Sequence, residues 1–185
     1  MIQDFLPLSL ASDWRETPHC AISNLLRQWL FEQGSLTARL KAHCQQFSVK
    51  ILAKHQRLFT ANELQLFDCP QQQVQVREVL LYCDDKPWVY AQSLMPLEVI
   101  PLSVQKLISL GDKPLGEVIF NEPSMIRSPI MVTPFEQHSD VMNFSQHIGQ
   151  SPIDRLWGRR SLFTIDGYSL LVAEVFLADS GIYDE

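Results

Sequence analysis

The sequence has no apolar run approaching the roughly 20 residues that a membrane-spanning helix needs, and its first residues lack the basic start of a signal peptide. Positive charge is also scarce, because 15 lysines and arginines are outnumbered by 21 aspartates and glutamates, for a net charge of −6. Such a chain is a poor partner for nucleic acid or an anionic membrane surface. These absences predict a cytoplasmic protein with no nucleic-acid partner and no stable membrane insertion.

Motifs for metals, nucleotides and common nucleophiles are missing as well. The four cysteines are widely spaced without a C-x-x-C pair, and the five histidines show neither H-x-x-x-H nor H-E-x-x-H spacing. We therefore predict no metal site and interpret the cysteines as reduced cytosolic thiols, mostly core filler. The motifs G-x-S-x-G and G-x-G-x-x-G and the P-loop are also absent.

What is present is the composition of a single globular domain, which we predict to span residues 1–185. With 46% apolar residues the chain can bury a substantial core. Helices come first, followed by mostly adjacent strands with helical insertions, and this order favours an α+β fold with one antiparallel sheet. Helices are predicted from Thr17-Pro18 to Gly34, over residues 36–44 after a Ser35 cap, and over 102–110; strands are predicted near 47–53, 74–83, 88–95 and 124–132.

Some segments give weaker signals. Residues 58–70 are ambiguous, because the candidate capping box Thr60-x-x-Glu63 is followed closely by Cys69-Pro70. Residues 112–116 are typical of a further helix start, with Asp112 as the candidate cap. Residues 133–151 contain two helix-breaking residues and many polar ones, so we predict a long loop.

The last stretch, Leu156 to Leu177, predicts a β-hairpin. Asp166-Gly167 lies between two apolar runs and is typical of a type I′ turn, because both turn residues need positive φ. A two-residue loop pairs Arg159 with Glu174. The second strand is apolar on both faces, which indicates a central position.

Two charged residues on apolar strand faces are the candidate site. Glu174 shares a face with apolar neighbours, and Arg77 lies between aliphatic residues on another strand. Together with the backbone N–H of Leu115 near a helix start, they could bind a small carboxylate. A purely structural alternative is also open: Arg159 could neutralise Glu174, and Arg77 could pair with Glu78 or reach the surface.

Four sequence blocks, in this order, resemble the chorismate lyase family: VREVLLYCDDKPWVYAQSLMP, LGDKPLGEVIF, LWGRRSLF and LLVAEVFL. The resemblance covers roughly residues 14 to 183. It implies a cofactor-free enzyme that converts chorismate to 4-hydroxybenzoate and pyruvate at the start of ubiquinone synthesis. It further implies a sheet of about six antiparallel strands and a buried site beneath helical flaps, one of them the corner at Gly34.

The resemblance assigns roles by position. The family's carboxylate-binding arginine falls on Arg77, its ligand-binding amide on Leu115 and its active-site glutamate on Glu174. A methionine that lines the family's pocket is replaced by Leu36. Glu174 is then an acid, a base or a positioning group. We expect a monomer with no cofactor; the alternative is a non-catalytic domain that binds aromatic carboxylates, like the effector modules of transcription regulators, although 16 leading residues are few for an attached DNA-binding domain.

Overall fold

The computed structural model describes residues 6–67, 73–97, 100–111 and 113–183. The predicted cap Asp112 and the breaker Cys69-Pro70 lie outside these residues. Within them, no helix is both long and apolar enough to cross a membrane. The helices are α1 (Asn24–Leu30), α2 (Leu36–His43), α3 (Ala61–Phe67), α4 (Gln105–Ile108), α5 (Leu115–Phe120) and α6 (Asp140–His147). The strands are β1 (Phe47–Leu58), β2 (Gln73–Cys83), β3 (Lys86–Pro96), β4 (Ile126–Arg127), β5 (Met131–Phe135), β6 (Leu156–Ile165) and β7 (Tyr168–Phe176).

The strands of the described residues form one antiparallel sheet in the order β1-β2-β3-β7-β6-β4, and β5 also pairs with β6. This confirms the predicted α+β fold. Seven strands are described where about six were expected, because the predicted strand at 124–132 is divided into β4 and β5. Pro129 lies between the two, and proline lacks the N–H that an unbroken ladder would use.

The final hairpin has the predicted register. Asp166 and Gly167 form its turn with φ of 49° and 80°, a region open to Gly and tolerated by Asp. Arg159 pairs with Glu174, as the two-residue loop required. Strand β7 lies between β3 and β6, which confirms its central position.

Side-chain alternation divides the sheet into two faces. We call the face that carries Arg77 and Glu174 the site face, and the face that carries Glu78, Tyr90 and Gln92 the back face. Helices α1 and α2 pack on the site face, mainly through Leu26, Trp29, Leu30, Leu36 and Leu40. The N-terminal segment and α6 cover the back face through Leu8, Trp14, Val141, Met142 and Phe144.

The predicted start and end of the first helix were wrong. Helix α1 begins at Asn24, because the Ser23 side chain accepts a hydrogen bond from the Leu26 N–H and so caps it there. It ends at Leu30 rather than continuing to Gly34. The prediction for α2 is confirmed at its start, where Ser35 accepts from the Ala38 N–H.

The long loop predicted at 133–151 was also wrong. Strand β5 extends to Phe135, and α6 occupies Asp140–His147 with apolar side chains against the back face. The ambiguous segment contains α3, and its capping box is present: the Thr60 N–H donates to Glu63, and the Glu63 N–H donates to Thr60.

The interpretation of the cysteines as reduced thiols was wrong for two of the four. Cys44 and Cys83 form a disulfide, with their Cα atoms 5.4 Å apart. The β1–β2 register explains this proximity, because it places Phe47 opposite Cys83 and so brings the end of α2 against β2. Cys20 is free, and Cys69 lies outside the described residues.

Candidate active site

A cavity of about 50 Å³ lies on the site face, beneath α2 and α5. All four residues that the sequence marked as candidates line it: Leu36, Arg77, Leu115 and Glu174. The rest of the lining is mostly apolar, with further polar atoms from Thr37, Ser93, Arg127 and Arg159. The volume accommodates only a few water molecules, so the cavity is narrow.

Arg77 is buried at one end of the cavity, with 5% of its surface exposed. Its Nη2 donates to the carbonyl oxygens of Gly111 and Lys113, each at 3.0 Å, which fastens the loop before α5 to the sheet. Glu78 points to the back face, because neighbouring residues of a strand alternate. An Arg77–Glu78 ion pair, one of the structural alternatives, is therefore wrong.

Glu174 and Arg159 form an ion pair on the site face, as the hairpin register suggested. The Arg159 Nε donates to Glu174 Oε2 at 2.7 Å, and Arg159 is 2% exposed. Arg159 Nη1 also donates to the carbonyls of Trp29 and Glu32 at the end of α1, where the helix dipole favours a cation. Glu174 Oε1 accepts no hydrogen bond from the residues that the structure describes, and it is the oxygen left to act on a ligand.

Arg127 is a cavity residue that the sequence reasoning missed. Its Nε donates to Ser161 Oγ at 3.1 Å, and its Nη1 donates to the carbonyls of Glu32 and Gln33 at 3.2 and 3.0 Å. Its guanidinium carbon lies 5.2 Å from the centre of the Phe163 ring. Burial, and then the neighbouring charge of Arg159, lower the pKa of Arg127 to about 10, so it remains a cation at neutral pH.

Two helix starts close the cavity. Leu36 is the first residue of α2 and Leu115 the first of α5, and both side chains are buried. A first-turn N–H such as that of Leu115 has no acceptor within its own helix. The two helices approach closely at Gly116, where an added Cβ would lie 3.1 Å from both Ser35 Oγ and Thr37 Oγ1.

The cavity has an excess of positive charge among its described residues. Arg77, Arg127 and Arg159 line it, but Glu174 is the one carboxylate there. Guanidinium groups bind carboxylates through paired hydrogen bonds, and the mostly apolar lining strengthens such contacts. The arrangement therefore suits a small anion that carries carboxylate groups and an apolar body.

The back face has a different arrangement. Glu78 is fully buried there, and its Oε1 accepts hydrogen bonds from the Leu8 N–H at 2.9 Å and from the Tyr90 hydroxyl at 2.5 Å. Burial, followed by the charge of Glu78, raises the pKa of Tyr90. A larger cavity of about 520 Å³ also lies on this face, and Arg160 lines it with its guanidinium 4.8 Å from the Trp14 ring centre.

Two solved structures illustrate the likeness of the fold to known proteins. The C-terminal domain of the histidine utilization repressor from Pseudomonas syringae has a TM-score of 0.53 and 12% identity, and covers 73% of this chain and 93% of that one. PhnF from Mycobacterium smegmatis has a TM-score of 0.58 and 13% identity, with coverage of 80% and 65%. At such identities the likeness concerns the fold alone.

Proteins found by sequence comparison are more similar to this chain than the solved structures are. A protein named "Probable chorismate pyruvate-lyase" from Pseudoalteromonas translucida is 43% identical over 182 residues, covering 96% of this chain and 98% of the relative. A protein of the same name from Psychromonas ingrahamii is 39% identical, with coverage of 96% of both. The family model described as "Chorismate lyase" matches residues 10–185. The chain therefore belongs to the chorismate lyase family of enzymes.

Proposed function

We propose that the protein is a chorismate lyase that converts chorismate to 4-hydroxybenzoate and pyruvate, acting as a single-domain monomer over residues 1–185. The observation that carries this proposal is the cavity that brings Arg77, Glu174 and the start of α5 together in a member of this family. We also propose that the product enters ubiquinone synthesis in the cytoplasm. A deletion strain whose ubiquinone returns only when 4-hydroxybenzoate is supplied would test that placement.

The sheet geometry sets how the ring would lie. Arg77 pairs with Ser93, and Ser93 pairs with Val172, which is two residues before Glu174 on the same strand. The two charged residues are therefore two strand spacings apart across the sheet and two residues apart along it, about 12 Å between their Cα atoms. A ring with a carboxylate at one end and a hydroxyl at the other spans this distance with a hydrogen bond at each end. Arg77 and the Leu115 N–H would hold the ring carboxylate, and Glu174 would face the hydroxyl.

The reaction needs little from the protein because the ring becomes aromatic. The bond between the ring and the ether oxygen breaks, and its electron pair leaves with the three-carbon enolpyruvyl group. The hydrogen on the ring carbon that bears the hydroxyl departs as a proton, and the electrons of that C–H bond complete the aromatic ring. The proton ends on the methyl carbon of pyruvate, so atoms and charge balance.

Glu174 is suited to accept a hydrogen bond or a proton from the substrate. Arg159 occupies Oε2, and a carboxylate beside a guanidinium accepts hydrogen bonds through its other oxygen. Glu174 would therefore hold the ring hydroxyl or take the departing proton, rather than donate to the ether oxygen. Arg159 would orient it, which gives the ion pair a catalytic use as well as a structural one.

Binding of a substrate in so small a cavity requires the covering elements to move. Chorismate is larger than a few water molecules, so the α1–α2 corner and α5 have to separate before it binds. The same contacts would retain 4-hydroxybenzoate, so we predict that the product is a competitive inhibitor. Titration calorimetry that detected no 4-hydroxybenzoate binding by an active preparation would contradict this arrangement.

The direct test is to incubate the purified protein with chorismate. We expect 4-hydroxybenzoate to appear by absorbance and pyruvate to appear in equal amount by a coupled lactate dehydrogenase assay. A matched sample without protein corrects for the spontaneous decay of chorismate. Binding of 4-hydroxybenzoate without any pyruvate release would instead identify a ligand-binding domain that has no lyase activity.

A further inference from the structure

Arg127 is a partly buried cation, and among the described residues no carboxylate lies within ion-pair distance of it; the charges of Glu174 and Glu32 act on it only from further away. Its two hydrogen-bonded nitrogens, Nε and Nη1, donate only to neutral oxygens, those of the Ser161 hydroxyl and the carbonyls of Glu32 and Gln33. Nη2 donates to no described group. A desolvated guanidinium normally has an anionic partner, because an uncompensated charge is costly in an apolar site. The position therefore favours an anion supplied by a ligand.

The other two arginines of the cavity already bind groups of the chain. Arg77 lies at the end near Gly111 and Lys113, and Arg159 is taken by Glu174. Arg127 lies at the Glu174 end of the cavity. Its backbone is opposite Phe163 of β6 in the sheet register, and its side chain donates to the Glu32 carbonyl, which also accepts from Arg159. The cavity thus offers two separate cationic positions, one at each end.

Chorismate has two carboxylates, one on the ring and one on the enolpyruvyl side chain next to the ring hydroxyl. We propose that Arg127 binds the enolpyruvyl carboxylate of the substrate, and so selects the dicarboxylate substrate over the monocarboxylate product. This inference rests on the proposed function and deepens it. The contact holds the leaving group in place while its ether bond breaks, and it is absent from 4-hydroxybenzoate, which lacks the second carboxylate.

The test compares ligands with one and with two carboxylates. One ligand is 4-hydroxybenzoate, and the other is 3-(carboxymethoxy)-4-hydroxybenzoate, an unreactive aromatic that keeps an ether-linked carboxylate beside the hydroxyl. Their dissociation constants are measured by calorimetry for wild type, Arg127→Gln and Arg127→Lys, together with kcat/KM for chorismate. Arg160→Gln is the matched control: Arg160 is on β6 but lines the back-face cavity, and burial lowers its pKa to about 10 as well.

We expect Arg127→Gln to weaken the dicarboxylate and to lower kcat/KM by about 10- to 100-fold, the scale of one charge-assisted contact. Its affinity for 4-hydroxybenzoate should stay within about threefold of wild type, a change too small for a lost charged contact. The lysine variant should recover part of the loss, because it keeps the charge without the forked geometry. The control should match wild type with both ligands.

Equal losses for the two ligands would overturn the proposal, because they would show that Arg127 only secures the α1–α2 corner. No loss for either ligand would overturn it too. If the glutamine variant does not fold, the lysine variant decides by the same ratio of affinities. A wild-type protein that binds both ligands but does not turn over chorismate would sink the proposed function, while a selective loss in Arg127→Gln would still support the second carboxylate site.

Discussion

Glu174 and Glu78 are both carboxylates near the middle of the sheet, but they lie on opposite faces; Glu78 is fully buried, and the Glu174 side chain is 17% exposed. Glu174 has a charged partner, Arg159, and an oxygen directed to a cavity. Glu78 Oε1 accepts from two neutral donors of the chain: the Leu8 N–H fixes the N-terminal segment, and the Tyr90 hydroxyl lies within the core. Glu78 Oε2 lies 3.8 Å from His55 Nδ1. Gln92 also holds the N-terminal segment, because its side-chain amide donates to the Leu8 carbonyl.

The comparison shows that a buried charge does not by itself mark a functional site. What separates the two residues is where the second carboxylate oxygen lies: that of Glu174 faces a space that a ligand could occupy, whereas that of Glu78 is buried within the chain near His55. Glu78 fastens a chain segment to the sheet. Glu174 is secured on one side and available on the other. Four substitutions can break or sharpen this distinction.

The largest effect should come from Glu174→Gln. The substitution keeps the side-chain shape, and Arg159 keeps its two carbonyl acceptors at the end of α1. Turnover of chorismate should fall by about 10²–10⁴-fold, the usual scale for a proton-transfer group. The melting temperature should remain close to that of wild type. A large loss of stability, roughly the 3–5 kcal/mol of a broken buried pair, with activity lost only in proportion, would favour the structural alternative.

Arg77→Lys should have the next largest effect. Lysine keeps the charge but cannot bind a carboxylate with two parallel hydrogen bonds while also holding the loop at Gly111 and Lys113. We expect kcat/KM for chorismate to fall roughly 10- to 100-fold, and 4-hydroxybenzoate affinity to fall by a similar factor, the scale of one charged hydrogen bond. A lysine variant with wild-type kcat/KM would remove Arg77 from the carboxylate site.

Glu78→Ala should have the opposite effect: it should lower stability and leave turnover unchanged. It leaves the Leu8 N–H and the Tyr90 hydroxyl without their acceptor, and each buried unpaired donor costs about 1–3 kcal/mol. We expect a clear drop in the free energy of unfolding, measured by urea titration, with turnover per folded molecule unchanged. Glu78→Gln is the matched control, because its carbonyl can still accept both hydrogen bonds. A specific loss of turnover would contradict the assignment of the back face to structure.

Gly116→Ala should have the smallest effect, and it tests closure of the site face. The new methyl group would lie 3.1 Å from the hydroxyl oxygens of Ser35 and Thr37, so α2 and α5 would have to separate slightly. We expect 4-hydroxybenzoate to bind a few-fold more weakly, which corresponds to about 1 kcal/mol of overpacking, mainly through faster dissociation in stopped-flow measurements. An unchanged dissociation rate would show that this contact does not hold the cavity shut.

The parts of the fold that could be predicted from sequence depend on local chemistry. The register of the last hairpin follows from the two turn residues Asp166 and Gly167. The start of α2 follows from the Ser35 cap. Arg77 and Glu174 could be identified because each interrupts an apolar strand face. This pattern is visible within the sequence of a single strand and does not require knowledge of its neighbours.

The parts that were missed depend on distant contacts. Helix α6 is stabilised by burying Val141, Met142 and Phe144 on the back face, and the nearby Pro134 and Gly149 obscured that pattern. The disulfide depended on the β1–β2 register rather than on cysteine spacing. Arg127 is on a short edge strand, where an arginine is unremarkable, and two of its acceptors, the carbonyls of Glu32 and Gln33, are almost a hundred positions away in the sequence.

The pairing of β3 with β7 has a consequence for how the site is assembled. Arg77 belongs to the β2–β3 hairpin and Glu174 to the β6–β7 hairpin, and within the described sheet these two hairpins pair where β3 meets β7. Each hairpin can form early because its contacts are local, but their union closes a long stretch of chain and is intrinsically slow. The ability to bind 4-hydroxybenzoate should therefore return in the last refolding phase, after most strand signal has recovered, and binding that appeared in the first phase would contradict this order of assembly.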